Sequence, residues 1–98
     1  MLYMVLFTDN PDREEARTRL IQAHLDFLER NRARVRAAGP LREAGAPAGG
    51  AWLVEAASPD EVVTLYKEDP FWPTGLRQSV RVLEWTQVFA DGQRKIKA

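Results

Sequence analysis

The hydrophobic pattern begins with an uninterrupted apolar run of strand length and changes to helical spacing after the first turn. Residues 2–7 form that run, and Asp9-Asn10-Pro11 ends it. Apolar residues then recur at intervals of three and four until Gly39-Pro40. The second half of the chain repeats this alternation between strand and helix patterns. The predicted elements are strands at 2–7, 41–44, 51–57 and 79–89, and helices at 12–38 and 58–67.

Local signals support the starts of both helices. Asp12 followed by Glu15 has the spacing of a capping box. Ser58-Pro59-Asp60-Glu61 combines an N-cap serine, a proline at the first helical position and a glutamate at the third. The Gly/Pro/Ala-rich residues 45–50 predict a hairpin loop between the second and third strands. We therefore expect one domain over residues 1–90 and a polar tail over residues 91–98.

The element order βαββαβ predicts an α+β fold. It is typical of a ferredoxin-like sandwich, in which an antiparallel four-stranded sheet carries both helices on one face. Right-handed crossovers then bring three loops to the same end of the sheet. These loops are residues 9–12, 45–50 and 69–75.

Both faces of the predicted sheet are apolar. Leu2, Met4 and Leu6 point to one face, and the equally apolar residues between them point to the other. Two helices cover only one face, and a monomer would expose more apolar surface than soluble monomers usually tolerate. We therefore expect a homodimer packed sheet to sheet. The alternative is that the tail folds over the open face, but the tail carries little apolar area beyond Ile96.

Composition excludes several kinds of chemistry. The 98 residues are 45% hydrophobic and 29% charged, which is typical of one globular domain. The absence of cysteine and the single histidine exclude a disulfide framework, a thiolate nucleophile and a Cys- or His-rich metal site. Neither a phosphate loop nor a nucleophile elbow is present. We therefore expect no metal and no cofactor. Because no signal-peptide or membrane-spanning pattern occurs, we also expect no membrane partner and a cytoplasmic location.

The charge pattern argues against nucleic acid as a partner. Fourteen basic side chains balance fourteen acidic ones, so no global field attracts an anionic polymer. Arg30, Arg32, Arg34 and Arg36 are two residues apart, so on a helix they point in different directions rather than forming a phosphate-binding stripe. We expect them in the last turns of the first helix, where they face its partially negative C-terminus.

Three residues form a candidate site. His24 falls within the apolar stripe of the first helix, so its ring points to the interior. Arg17 lies two turns earlier on the same side, about 10 Å away along the axis. Asp69 lies in one of the converging loops, and Pro70 favours an extended backbone at that position. A His24–Asp69 pair would fix the imidazole tautomer and keep the ring basic for proton transfer near neutral pH.

Each of these residues also has a purely structural interpretation. His24 would be a hydrogen-bonded core residue, and Arg17 would extend to solvent or pair with an acid such as Asp69. Asp69 would shape the turn that ends the second helix. Four aromatic residues would either line a pocket or pack in the core: Tyr3, Phe71, Trp72 and Trp85.

A series of short motifs occurs in a characteristic order and spacing. They are Met1-Leu2-Tyr3, Asp9, Arg17, Ala23-His24-Leu25, Ala38-Gly39-Pro40-Leu41, Asp69-Pro70-Phe71, Gly75-Leu76, Ser79-Val80 and residues 85–89. In this order they resemble the YCII-related family over residues 1–89. The resemblance implies a dimeric α/β barrel built from ferredoxin-like protomers, with His24 and Asp69 as the active-site pair. It also implies kinship with muconolactone isomerase-like enzymes and with a dehydrochlorinase of a chlorinated hydroxyquinol.

The chain departs from the family pattern at two places, so the resemblance does not carry over a substrate. Gln22 stands where many relatives have proline, and Trp72-Pro73 makes the following loop bulkier.

Two functional hypotheses remain open. In the first, the protein is a cofactor-independent lyase or isomerase acting on a small organic molecule. His24 would transfer a proton, Asp69 would orient the ring, and Arg17 would hold a carboxylate or enolate. In the second, it is a non-catalytic ligand-binding or oligomerisation module, in which the same groups recognise an anion.

Overall fold

Strand β1 (Leu2–Asp9) is one of the two central strands of a four-stranded antiparallel sheet. The structure, a computed structural model, describes residues 1–97. Across the sheet the strands follow in the order Val35–Glu43, Ala46–Glu55, Leu2–Asp9 and Arg77–Glu84. This order confirms the predicted ferredoxin-like arrangement. The other elements are α1 (Glu15–Arg30), β2 (Val35–Glu43), β3 (Ala46–Glu55), α2 (Pro59–Lys67), β4 (Arg77–Glu84), β5 (Phe89–Ala90) and β6 (Gln93–Arg94).

The main core lies between one face of the sheet and the two helices. Alternate residues of β1 point into it, and Trp52 of β3 and Phe27 of α1 pack against them. Each such large side chain contributes about 1.5–3 kcal/mol of burial free energy. Both helices therefore cover the same face, as predicted. The buried members of this core are Tyr3, Val5, Phe7, Phe27, Val35, Trp52, Val54, Ala56, Val62, Leu65 and Tyr66.

The opposite face of the sheet is apolar and has no helix over it. The intervening residues of β1, beginning with Leu2, are only half-buried there. Leu83 and Trp85 are 38% and 40% exposed. The alternation therefore gives the two-sided apolar sheet that the sequence predicts. No helix among residues 1–97 is long and apolar enough to cross a membrane.

The predicted long first helix is wrong, because α1 ends at Arg30. The side chain of Asn31 donates from Nδ2 to the Phe27 carbonyl at 2.8 Å and closes the last turn. The chain then turns into β2, which pairs with β3 from Val35 onward. Gly39-Pro40, predicted to stop the helix, lies inside β2, where an edge strand tolerates proline. Consequently the arginines after residue 30 lie in the turn and in β2.

Three further boundaries differ from prediction. The hairpin turn between β2 and β3 contracts to Ala44 and Gly45, which both have positive φ, so most of the predicted loop 45–50 belongs to β3. A short 3₁₀ turn capped by Asn10 precedes α1, so Asp12 is not its cap. Strand β4 ends at Glu84 instead of residue 89, and the last hydrogen bond of its pairing with β1 runs from the Trp85 amide to the Leu2 carbonyl at 2.9 Å. The predicted start of α2 is confirmed, since Ser58 Oγ accepts a hydrogen bond from the Glu61 amide.

Gly49 sets how closely β3 approaches β1 at the end of the sheet that carries Asp9. Its φ is +103°, and a Cβ there would collide with the Phe7 carbonyl and lie 3.2 Å from Thr8 Cα. We expect Gly49→Ala to lower the free energy of unfolding by about 2–3 kcal/mol, because both the φ and the contact become unfavourable. Thermal denaturation measures the effect as a fall in Tm of roughly 4–8 °C per kcal/mol.

Gly39→Ala is the matched control for Gly49→Ala. Gly39 lies in β2 and has no atom within 4 Å of a Cβ position. Its substitution should change stability by less than about 0.5 kcal/mol. Equal melting temperatures for the two variants would contradict the close approach of β3 to β1.

Candidate functional site

His24 and Asp69 are in direct contact between α1 and the turn after α2. His24 Nδ1 lies 2.9 Å from Asp69 Oδ1, and the two residues are 7% and 3% exposed. A carboxylate only accepts hydrogen bonds, so in the neutral form of the ring this contact places the proton on Nδ1 and leaves the lone pair on Nε2. The structure thus brings together the pair that the sequence singled out.

Asp69 holds its position through local hydrogen bonds as well. Its Oδ1 accepts the Phe71 amide at 3.1 Å, and its carbonyl accepts the Trp72 amide at 2.9 Å. Both interpretations of Asp69 therefore apply, because the carboxylate shapes the turn and contacts His24. With the carboxylate held by the Phe71 amide and the backbone held by the Trp72 amide, Asp69 keeps the imidazole in one orientation.

Phe71 packs against one face of the imidazole ring. Its ring stacks on His24 with centroids 4.1 Å apart and planes inclined by 14°. The ring is completely buried in a small second core with Ala16 and Leu76. Of the aromatic residues considered from the sequence, Phe71 is thus the one that contacts the candidate site directly. Trp72 packs on Tyr66 at 5.0 Å, Tyr3 lies in the main core, and Trp85 lies on the open face.

The imidazole borders a cavity of about 160 Å³. Nε2 makes no hydrogen bond to any residue from 1 to 97 and is not sealed off from solvent. A cavity of about 150 Å³ is large enough for a benzene ring. Ile21 and Leu25 belong to the apolar stripe of α1 and line this cavity, where they remain 43% and 45% exposed. The lining consists of Arg17, Ile21, His24, Leu25, Leu28, Ala38, Gly39, Pro40, Trp52 and Arg77.

Arg17 lies on the wall of the same cavity, as the helical spacing predicts. Its partners are different from the suggested one, because it pairs with Asp9 through Nη2 and with Glu14 through Nε at 2.9 Å, and not with Asp69. Its side chain is 23% exposed, whereas that of Asp9 is 6% exposed. Asp69 therefore contacts His24 and not Arg17, and the guanidinium of Arg17 is held at the end of β1 by Asp9.

A second arginine, Arg77, which was not predicted from the sequence, lies in this wall. Arg77 is 4% exposed, donates from Nη1 to Asp9 Oδ1 at 2.9 Å, and lies 4.3 Å from the centroid of the Phe7 ring. Its Nε is buried without a hydrogen-bond partner. An unpaired buried donor costs about 1–3 kcal/mol. In the sequence, Arg77 is distinguished only as a charged residue directly after Gly75-Leu76. The predicted strand 79–89 begins after Arg77, so no face of the sheet was predicted for its side chain.

The buried phenols do not compete with His24 as bases. Burial raises the pKa of Tyr66, because a phenolate would lose its hydration. Burial also raises the pKa of Tyr3, with smaller contributions from the negative charges of Glu84 and Glu61. Both phenols therefore stay protonated at neutral pH and above. Within residues 1–97, no cluster of three or more His, Asp or Glu side chains could hold a metal ion.

Of the three loops predicted to converge, residues 9–12 and 69–75 meet at this end of the sheet, whereas most of residues 45–50 belong to β3. The amide of Asn10 donates to the Leu76 carbonyl at 2.7 Å, and Arg13 Nε donates to the Thr74 carbonyl at 2.9 Å. These bonds tie the loop after β1 to the segment that carries Asp69 and Phe71. The result is a small cavity with one imidazole, its orienting carboxylate and two guanidinium groups. Such a set can move a proton and hold an anion.

Comparisons with known proteins bear on the family and the fold. The family model of the YCII-related domain matches residues 1–86. A solved structure, the 5-chloro-2-hydroxyhydroquinone dehydrochlorinase of Burkholderia phenoliruptrix AC1100 in complex with 2,5-dihydroxybenzoquinone, is similar with a TM-score of 0.78 and 32% sequence identity. The similarity covers 88% of this chain and 94% of the dehydrochlorinase. The curated proteins contain no match to the sequence. The ferredoxin-like fold, the matched family model and the similar solved structure together show that the chain belongs to the YCII-related domain family.

Proposed function

We propose that the protein is a small-molecule enzyme of the lyase or isomerase type that uses His24 and Asp69 for general acid–base catalysis. The observation that carries the proposal is the 2.9 Å contact between His24 Nδ1 and Asp69 Oδ1 beside a cavity that the ring borders. A neutral imidazole with its lone pair on Nε2 is a base suited to neutral pH. The residues of this chain supply that step by themselves.

In the proposed reaction, His24 Nε2 accepts a proton from the substrate. In an isomerase it returns the proton to another atom of the substrate; in a lyase the leaving group departs with the electrons of its bond and the imidazolium releases the proton to solvent. Asp69 stabilises the imidazolium formed in between, because its charge lies next to the protonated ring in a poorly hydrated site. The Phe71 amide keeps the carboxylate in place during this change.

We assign substrate binding to Arg17. Its guanidinium lines the cavity and is partly exposed, so it can donate to a carboxylate or enolate oxygen while Asp9 and Glu14 hold it. Negative charge that develops on such an oxygen as the proton leaves would be stabilised at this position. The activity of the similar dehydrochlorinase, which is 32% identical, supports a substrate of this kind.

His24→Gln tests the proposal. Glutamine keeps a hydrogen-bonding side chain near Asp69 but cannot accept a proton at neutral pH. We expect turnover to fall by about 10²- to 10⁴-fold with little change in Tm. The assay is a panel of chlorinated hydroxyquinols and small lactones, followed by chloride release, ultraviolet absorbance and deuterium incorporation in ²H₂O.

Asp26→Asn is the matched control, because Asp26 lies on the same helix, is exposed and accepts a hydrogen bond from Gln22 Nε2 at 3.1 Å. It should leave turnover unchanged. A folded His24→Gln protein with wild-type turnover would refute the catalytic assignment. Ligand binding without turnover in the wild-type protein would assign the cavity to a binding module instead.

We further propose that two chains pack through the open face of their sheets. The face carries Leu2, Leu53, Leu83 and Trp85 around Met4, and the last two are more than a third exposed. The largest apolar patch on a soluble monomer is usually about 300–600 Å² and is often functional. An isologous dimer covers both faces with a single two-fold contact.

Leu53→Arg tests the dimer. Leu53 pairs with Met4 in the middle of the open face, so the substitution places like charges opposite each other at the two-fold contact. We expect the dissociation constant to rise by roughly 100-fold or more, because a buried unpaired charge is costly. Analytical ultracentrifugation measures it.

Thr64→Arg is the control for added charge, since Thr64 is exposed on α2, the helix on the other side of the sheet. It should sediment like the wild-type protein. A wild-type protein that sediments as a monomer at high concentration would refute the sheet-to-sheet dimer.

A further inference from the structure

Arg77 is the charged residue of the cavity wall that the proposed acid–base chemistry does not use. It reaches the wall through an irregularity in the pairing of β1 with β4. Thr8 pairs with Ser79, whereas the next residue, Asp9, pairs with Arg77, so Gln78 is an extra residue in the ladder. A bulge of this kind turns the preceding side chain to the other face. Arg77 thereby faces the helices and Asp9.

The guanidinium of Arg77 has more donors than the chain uses. Among residues 1–97, its hydrogen bonding is limited to the bond from Nη1 to Asp9 at 2.9 Å, and Nε is buried without a partner. The rings of Phe7 and Phe71 pack against the guanidinium, and their centroids lie 4.3 and 5.5 Å from its central carbon. These contacts leave the N–H groups that point outward in the guanidinium plane free to donate elsewhere. A buried arginine that serves structure alone normally has its donors satisfied. Arg77 instead keeps free donor capacity where it lines the cavity.

The charges around Asp9 leave this part of the wall positive. One carboxylate, 6% exposed, faces two guanidinium groups, those of Arg17 and Arg77. Glu14 also pairs with Arg17, but it is 40% exposed and its charge is screened by solvent. The carboxylate of Asp69 contacts His24 Nδ1, and Asp69 is not among the residues that line the cavity. An anionic group in the cavity would balance the second guanidinium.

We propose that Arg77 is a ligand-binding residue that acts with Arg17 to select small ring-shaped ligands carrying an ionised oxygen, a carboxylate or an enolate. This inference rests on the proposed function, because it states the charge of the molecule on which His24 acts. The cavity of about 160 Å³ accommodates a single ring. Both guanidinium groups lie within 6 Å of the Phe71 ring, at 5.7 and 5.5 Å, and His24 stacks on the same ring. An oxygen held by the arginines would therefore lie near the imidazole.

The experiment compares benzoate with benzamide, which has nearly the same shape but no charge. His24 is the only histidine, so its imidazole proton signal in NMR reports binding in this cavity alone. We expect the wild-type protein to bind benzoate about tenfold or more tightly than benzamide, because a charge-assisted bond to guanidinium is lost in the amide. Equal affinities, or no saturable shift with benzoate at millimolar concentration, would overturn the proposal.

Substitutions of Arg77 test the residue itself. Arg77→Met removes the charge and should reduce the benzoate preference to about threefold or less. Arg77→Lys keeps a cation beside Asp9 but lacks the planar fork, and should reduce the preference by at least about threefold. If thermal denaturation shows that Arg77→Met is unfolded, Arg77→Lys decides the question. Arg19→Met is the matched control, since Arg19 is exposed on α1, outside the cavity and away from the open face of the sheet, and the variant should retain the wild-type preference.

The outcomes separate this inference from the proposed function. An undiminished benzoate preference in folded Arg77 variants would overturn the assignment of Arg77, even if His24→Gln abolishes turnover. Conversely, a preference that depends on Arg77 in a protein without His24-dependent turnover would refute the catalytic proposal and support the binding assignment of Arg77.

Discussion

The pairing of buried charges constrains both the fold and the site. Asp9 and Asp69 each lie almost fully buried next to α1, where an unpaired carboxylate would cost several kcal/mol. Asp9 is compensated by Arg17 of α1 and Arg77 of β4, and Asp69 is paired with His24 of α1. These contacts tie the ends of β1 and α2 to the same helix. The elements that enclose the cavity are therefore held together by the groups that give it chemistry.

Phe71 allows three nitrogen-bearing side chains to lie close together. A buried ring offers a surface for an imidazole and for guanidinium groups without consuming their hydrogen-bond donors. The N–H donors of these three side chains are thus available to Asp9, to Asp69 and to a ligand in the cavity. A polar residue in place of Phe71 would compete for those donors. The apolar position thus preserves the hydrogen-bonding capacity of its neighbours.

The sequence predicts the His24–Asp69 pair because two independent regularities agree. Helical spacing directs His24 inward, and the right-handed βαβ crossovers bring residues 69–75 to the helix. The end of α1 was not predictable in the same way, because residues 31–38 have fair helix propensity and tertiary pairing with β3 decides their conformation. Arg77 was missed because strict alternation along β4 would place it on the same face as Ser79. A bulge changes that parity and leaves no clear sequence signal.

The extra residue in β4 also has an evolutionary consequence. Because successive strand residues face opposite ways, deletion of Gln78 would restore regular pairing with Arg77 still opposite Asp9, so its guanidinium would stay in the cavity. Loss of this codon therefore leaves both cations of the cavity in place, whereas a regular ladder that kept Gln78 would pair Gln78 with Asp9 and turn Arg77 to the open face. Among proteins of this fold, the residue opposite the end of the first strand is accordingly a more telling character than the length of the segment before the last strand.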